Sequence, residues 1–156
     1  VKIRAYTPSD AHFLPDIFHQ SVHAISARDY SIDQIAAWSP APMSAETYHA
    51  RVSDGRRVFV AVTEEDRPMA FLELEADGHI DCFYCHPDAA GQGIGLALYT
   101  EAARAATDQG ISCLTVEASE AARRFFVKVG FEVVSRRDFL IRTVPIHNYA
   151  MRKALT

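Results

Sequence analysis

AGQGIGLAL, Ala90 to Leu98, sets three glycines on alternate positions and then passes at once into apolar residues. A loop so bare of side chains, placed just before a helix start, outlines an anion site. The first amides of a helix have no internal partners, and the helix dipole adds positive potential there. Gly91, Gly93 and Gly95 remove the Cβ atoms that would hold a bulky diphosphate away from those amides.

The flanking pattern places this loop between a strand and a helix. HIDCFYCH, His79 to His86, reads as a strand ended by Pro87. From Gly93 to Gln109 the spacing is helical, with Ile94, Leu98, Ala102 and Ala105 on one face and Gly110 at the C′ position. Upstream, RVFVAVT (57–63) and MAFLELE (69–75) are strand-like, and Asp77-Gly78 signals an antiparallel return into His79–His86. The N-terminal part offers a short strand, Lys2 to Tyr6, and a helix opened by Thr7-Pro8-Ser9-Asp10. A second short helix, capped by Ser31 and Gln34, ends before Pro40, and Ser44 caps a further helical turn or two. Downstream, Ile111 to Glu117 is a strand and Ser119 opens a helix that ends at Gly130. Phe131–Arg142 and Ile146–Lys153 are two last strands around Thr143-Val144-Pro145. The order predicts an α+β fold: a mixed, mostly antiparallel sheet of about seven strands, helices on both faces and one parallel strand pair.

Composition narrows the class. The 156 residues suit a single domain, 1–156, with 49% hydrophobic and 23% charged residues and a net charge of -4. No Lys/Arg run marks a nucleic-acid footprint. No apolar run reaches membrane-spanning length, and VKIRAYTPSD lacks the apolar core of a signal peptide, so a cytoplasmic location is expected. Cys82 and Cys85 form a C-x-x-C beside His86. Positions three apart on a strand face opposite sides, and only Cys113 remains as a further thiol, so no metal site is expected.

Three ligands compete for the glycine loop, beside the simpler reading of a flexible connector. A dinucleotide fold wants a third glycine where this chain has Leu96, and it should open a doubly wound sheet, not follow several strands. A P-loop is excluded because no Lys-Ser/Thr follows. A coenzyme whose diphosphate sits on the helix and whose arm runs along the preceding strand describes coenzyme A.

FYCHPDAAGQGIGLALY (83–99) resembles the strand, proline and Q/R-x-x-G-x-G/A signature of the GNAT superfamily of acyl-CoA-dependent N-acyltransferases. VEASEAARRFFVKVGF (116–131) is similar to that family's second binding segment with its Gly-Phe pair. The resemblance covers nearly the whole chain and implies transfer of an acetyl group from acetyl-CoA to an amine. It implies that the backbone of Tyr84 and Cys85 holds the pantetheine arm and thioester, while the amides of Gln92, Gly93, Gly95 and Leu96 take the diphosphate. Gly91 and Ile94 would shape the loop, and Ser119 belongs to the same coenzyme-binding set. The two parallel strands would splay to admit the arm. Two positions depart from the pattern: Ala90 stands where Gln or Arg is expected, and Phe126 where a tyrosine often protonates the departing thiolate.

An amine nucleophile must lose a proton before attack, which calls for a base with a pKa near the working pH. Plain alternation puts His79, Asp81, Phe83 and Cys85 on one strand face. His79 is the favoured base, with Asp81 orienting it or relaying through water. Glu117 and Glu73 are the fallback carboxylates. Tyr84, Ser119 and Tyr149 are candidates for the missing acid, although alternation turns Tyr84 away from His79 unless a bulge redirects it. The acceptor pocket is expected between the first helices and the last two strands, with His19, His23, Arg28, Tyr30 and Trp38 available. The acceptor is a small-molecule or peptide amine, with monomer and homodimer both open. A non-catalytic acyl-CoA-binding module is the alternative from another class.

Overall fold

A computed structural model of the chain describes residues 1–155. Its strands are β1 (Lys2–Ala5), β2 (Arg57–Val62), β3 (Pro68–Leu74), β4 (His79–Cys85), β5 (Cys113–Ala118), β6 (Glu132–Ile141) and β7 (Val144–Ala154). The helices are α1 (Leu14–Ala24), α2 (Ile32–Trp38), α3 (Ala45–Val52), α4 (Ile94–Asp108) and α5 (Glu120–Lys128). All seven strands form one sheet in the order β1-β2-β3-β4-β5-β7-β6. Every neighbouring pair is antiparallel except β4 and β5. The expected architecture is therefore present, helices on both faces included.

Local chemistry sets most element boundaries. Gln34 N–H donates to Ser31 Oγ at 3.1 Å and Ser31 N–H donates to Gln34 Oε1 at 2.8 Å, a reciprocal cap that starts α2. Ser44 and Ser119 accept from the third residue onward and start α3 and α5 in the same way. The N-terminal helix differs from expectation: Pro8–His12 is a separate 3-10 turn, and α1 begins only at Leu14. Asp10 explains the break. Its carboxylate is gripped by Arg4 at 2.8 and 2.9 Å and by Thr7 N–H at 2.8 Å, which ties the turn to β1.

The last hairpin also differs. Thr143-Val144-Pro145 is not a loop; the turn is Arg142-Thr143 alone, and Val144 and Pro145 pair with Ile141 and Leu140. Both turn residues have positive φ, 46° and 70°. A two-residue turn with that pair of dihedrals matches the twist of the strands it joins, which is why it is preferred over a longer loop.

The sheet carries a hydrophobic layer on each face. Leu72, Leu74, Ile80, Leu114 and Val116 pack under α4 and α5, where Leu98 and Phe126 are fully buried. Val58, Val60 and Phe71 pack under α1 and α3 with Leu14, Ile17 and Tyr48. Val22, Ile35 and Ile146 close the gap between α1, α2 and β7.

Two irregularities in β4 interrupt the sheet. First, β4 pairs with β5 only at His79–Thr115 and Ile80–Val116; beyond those the parallel strands diverge. Second, Leu74 opposes Ile80 while Glu73 opposes Cys82, so Asp81 is the extra residue of a β-bulge. No helix among the described residues is long and apolar enough to cross a membrane.

Candidate active site

The bulge overturns the alternation expected for β4. Ile80, Phe83 and Cys85 pack on the α4 side, whereas Cys82 and Tyr84 pack on the α1 side. His79 and Asp81 therefore do not share a face with Phe83 and Cys85. They share it with Tyr84, whose ring meets Phe18 edge-on at 4.7 Å. Cys82 and Cys85 do lie on opposite faces, as their spacing requires.

A cleft of about 320 Å³ lies at the end of β4, between the glycine loop, α5 and the C-terminal end of α1. Tyr84, Cys85, Gly91, Gly93, Ile94, Gly95, Leu96 and Ser119 all line it. Gln92 does not; its side chain donates to the Asp88 carbonyl at 3.2 Å and braces the loop that Ala90 leaves without a side-chain tie. The helical ladder of α4 begins with Ala97 N–H donating to Gly93 O at 3.1 Å, so the amides of Ile94, Gly95 and Leu96 precede the first helical bond. The glycines differ in what they require. Gly93 needs its φ of 78°, and a Cβ there would meet nothing. Gly95 has no such backbone demand, and a Cβ there would stand 3.4 Å from the Phe83 ring, a close contact that a small shift of the ring relieves.

Residues that the sequence did not single out complete this cleft: Ser21 in the last turns of α1, Ser26 just after it, and Phe125 on α5. Phe126, at the position of the family's tyrosine, is fully buried among Phe83, Tyr99 and Phe131. Phe125 is the member of that pair that faces the cleft.

A second cavity, of about 270 Å³, is walled by Asp81 and Tyr84 of β4, Glu117 and Ser119 beyond the divergence, and Arg137 and His147 of the last hairpin. Tyr30 and Trp38 line it too. His19 and His23 are turned instead onto Ser39, by contacts of 2.7 Å to its Oγ and its carbonyl, and Arg28 is exposed in the turn after α1. Tyr84 and Ser119 belong to both the glycine-loop cleft and this cavity. The two spaces thus share two wall residues beside the divergence of β4 and β5.

The titratable groups around the junction are arranged in layers. Glu117 faces the cavity, and its Oε1 lies 2.8 Å from His79 Nε2. His79 stands behind it, with Nδ1 against Glu75. Burial favours the neutral imidazole, but the Glu75 and Glu117 carboxylates outweigh it and raise its pKa. Asp81 does not orient His79. Its Oδ2 accepts from Arg51 at 2.6 Å and Arg56 at 2.8 Å. The same two arginines, at 2.8 and 2.7 Å, and the Tyr48 hydroxyl, at 2.7 Å, hold the fully buried Glu73. Glu73 is thereby a structural anchor for the bulge, committed to its own cations.

Three further groups bear on the chemistry. Burial, reinforced by nearby carboxylates, pushes the Tyr84 phenol well above its ordinary value, so it keeps its proton. Burial pushes the Cys85 thiol up to about 11. Tyr149 donates to Glu120 at 2.8 Å. Burial opposes ionisation of Glu120, but bonds from His147, Tyr149 and Arg123 bring it down to about 2. Glu75 was missed as the partner of His79, although the Asp77-Gly78 turn should have revealed it: the hairpin sets Glu75 N–H on the His79 carbonyl at 2.8 Å.

Comparison with known proteins bears on the family and the fold. A family model described as the acetyltransferase (GNAT) domain matches residues 26–153. The uncharacterized N-acetyltransferase YafP of Escherichia coli strain K12 is 28% identical over 152 residues, 97% of this chain and 95% of that protein. The crystal structure of a GCN5-related N-acetyltransferase from Rhodopseudomonas palustris superposes with a TM-score of 0.89 at 34% identity, covering 98% of this chain and 94% of the other. A phosphinothricin acetyltransferase from Sinorhizobium meliloti, solved in complex with AcCoA, superposes with a TM-score of 0.77 at 19% identity over 98% and 87% of the two chains.

Proposed function

The chain belongs to the GNAT superfamily of acyltransferases, and from that premise we propose that residues 1–156 act as one N-acetyltransferase domain moving acetyl directly from acetyl-CoA to an amine of a small molecule or peptide. The observation that carries this reading is that the glycine-loop cleft and the second cavity share Tyr84 and Ser119 as wall residues, beside the divergence of the central strands. A thioester held in that gap would present its carbonyl to one cavity while its diphosphate rests on the other side, at the amides of Gly93, Gly95 and Leu96.

Each residue then has a role. The incoming ammonium gives a proton to Glu117, which passes it to His79 Nε2; Glu75 stabilises the imidazolium that results. The freed amine attacks the thioester carbonyl, a C–N bond forms, and backbone donors of β4 hold the oxyanion. As the C–S bond breaks, the Tyr84 hydroxyl gives the leaving sulfur a proton and regains one from the nitrogen of the forming amide, so that no phenolate is left; this is the task that Phe126 cannot perform. Asp81, fixed by Arg51 and Arg56, keeps the bulge that turns Tyr84 into the junction. Direct transfer is preferred over a cysteine intermediate because a Cys85 thiol raised to about 11 carries little thiolate at neutral pH.

Thiol release on mixing acetyl-CoA with a panel of amines, amino acids and lysine peptides tests this, with mass spectrometry of the acceptor. An enzyme gives an acetylated amine and free coenzyme A. Thermal stabilisation by acetyl-CoA without release from any acceptor would instead fit a coenzyme-binding module, a possibility raised by Ala90 and Phe126. Stabilisation by NAD and not by acetyl-CoA would remove the coenzyme assignment.

A further inference from the structure

The walls of the proposed acceptor cavity carry opposite charge. Asp81 and Glu117 face it from the central strands, and Arg137 faces it from β6. Beside it, sharing Trp38, lies a second cavity of about 390 Å³ with apolar walls that include Phe18, Met43 and Phe71 and with Arg142 at its rim. Arg51 also reaches that space, but its charge is already matched by Glu73 and Asp81.

The hairpin arginines differ from Arg51 in their partners. Arg137 donates to Asn148 Oδ1 at 3.0 Å and lies 5.2 Å over the Phe139 ring. Arg142 donates to the Ala37 carbonyl at 2.5 Å, in the last turn of α2. Both acceptors are neutral, and among the described residues neither guanidinium is paired with a carboxylate in these contacts. The backbone at Arg142 belongs to the two-residue turn of the hairpin. Its φ of 46°, followed by 70° at Thr143, belongs to the left-handed region that glycine and asparagine normally fill.

We propose that the acceptor is a small amino carboxylate with an apolar body, whose anionic end is read by Arg137 and Arg142. Its ammonium faces Glu117, its apolar part lies on Trp38 and Phe18, and the planar guanidiniums take the carboxylate with paired N–H donors. This rests on the reading of the cavity as the acceptor site of an N-acetyltransferase.

The test uses matched pairs: leucine and leucinamide, methionine and methioninamide, phenylalanine and phenylalaninamide. Each is titrated calorimetrically into the full chain saturated with coenzyme A. At least one carboxylate should bind roughly tenfold or more tighter than its amide. The double variant Arg137→Gln, Arg142→Gly should bring the two members together while leaving coenzyme affinity unchanged. Glycine accepts the backbone at 142 without strain, so a retained thermal transition separates lost recognition from lost folding. Equal response to both members of every pair, or a preference that survives the double variant, overturns the proposal. Thiol release assayed in parallel separates the two ideas. Amides and lysine peptides acetylated as readily as the carboxylates would sink this acceptor class and leave the transferase standing. Carboxylate-selective binding without release would uphold the recognition and sink the transferase.

Discussion

Tyr84 shares a strand face with His79 although five positions separate them, because Asp81 is inserted as an extra residue between Ile80 and Cys82. Without the bulge an odd spacing would send the two side chains to opposite sides of the sheet. With it, a phenol that keeps its proton lines both cavities.

Tyr84→Phe keeps the ring that packs on Phe18 and removes only the hydroxyl. The expected outcome is a fall in kcat of roughly 100-fold, with little change in either KM or in the thermal transition. Steady-state thiol release checks it. An unaltered kcat would move the acid to Ser119, the other residue common to both cavities.

Much of this architecture is legible in the sequence because short-range chemistry fixes it. The caps at Ser31, Ser44 and Ser119, the Asp77-Gly78 turn and the apolar face of α4 are local signals, and each marks its element within a residue or two. The bulge has no such signal. HIDCFYC alternates no less well with Asp81 in register than out of it, and what decides is the long-range demand of Glu73 and Asp81 for the same two arginines. His79 was legible as a titratable group, but its partners came from neighbouring strands. Gly95 shows the same limit: one spacing rule covers all three loop glycines, yet its own close contact is with the distant Phe83 ring.

The loop glycines give a prediction that separates these causes. Gly93→Ala imposes a left-handed backbone on a residue with a Cβ, which costs about 1–2 kcal/mol, and projects a methyl into the cleft. The acetyl-CoA KM should rise about tenfold or more, while stability falls by no more than that strain. Gly95→Ala acts through Phe83 instead, moving the ring by a few tenths of an ångström, so its effect on stability and on KM should be smaller. Measured KM values for the two variants in the same thiol assay, with denaturant titrations, make the comparison. Equal KM for Gly93→Ala and wild type would remove the loop from coenzyme binding.

Glu73 tests the anchor beneath the bulge. Its carboxylate is fully buried and meets two guanidiniums and a hydroxyl, so Glu73→Ala removes the one fully buried counter-charge of Arg51 and Arg56 and leaves them only the more exposed Asp81 and Asp54. Removing one member of such a group costs about 3–5 kcal/mol, which a urea titration would read as a lower midpoint. Activity should fall beyond what the unfolded fraction explains, because Asp81 and Tyr84 lose their register. A loss under about 1 kcal/mol, in the range of exposed ion pairs, would show that the arginines are satisfied by Asp54 and Asp81 alone.

The proton relay has a pH signature whose sign is fixed. The pKa of His79 is raised above its ordinary 6.5 by Glu75 and Glu117. Its favourable contribution to stability is therefore complete below 6.5 and is lost as pH climbs through the higher folded value. Catalysis runs the opposite way, since an imidazole already protonated cannot receive the proton that Glu117 takes from the amine. The kcat profile should accordingly rise with pH through a midpoint above 6.5, over the window in which that part of the stability declines. His79→Gln retains a hydrogen-bonding side chain between the two carboxylates but cannot titrate. It should lower kcat roughly 100-fold, flatten the low-pH limb, and abolish the matching slope in urea midpoints. A kcat limb that persists unchanged in His79→Gln would assign the titration to a carboxylate and leave His79 as a positioning residue for Glu117.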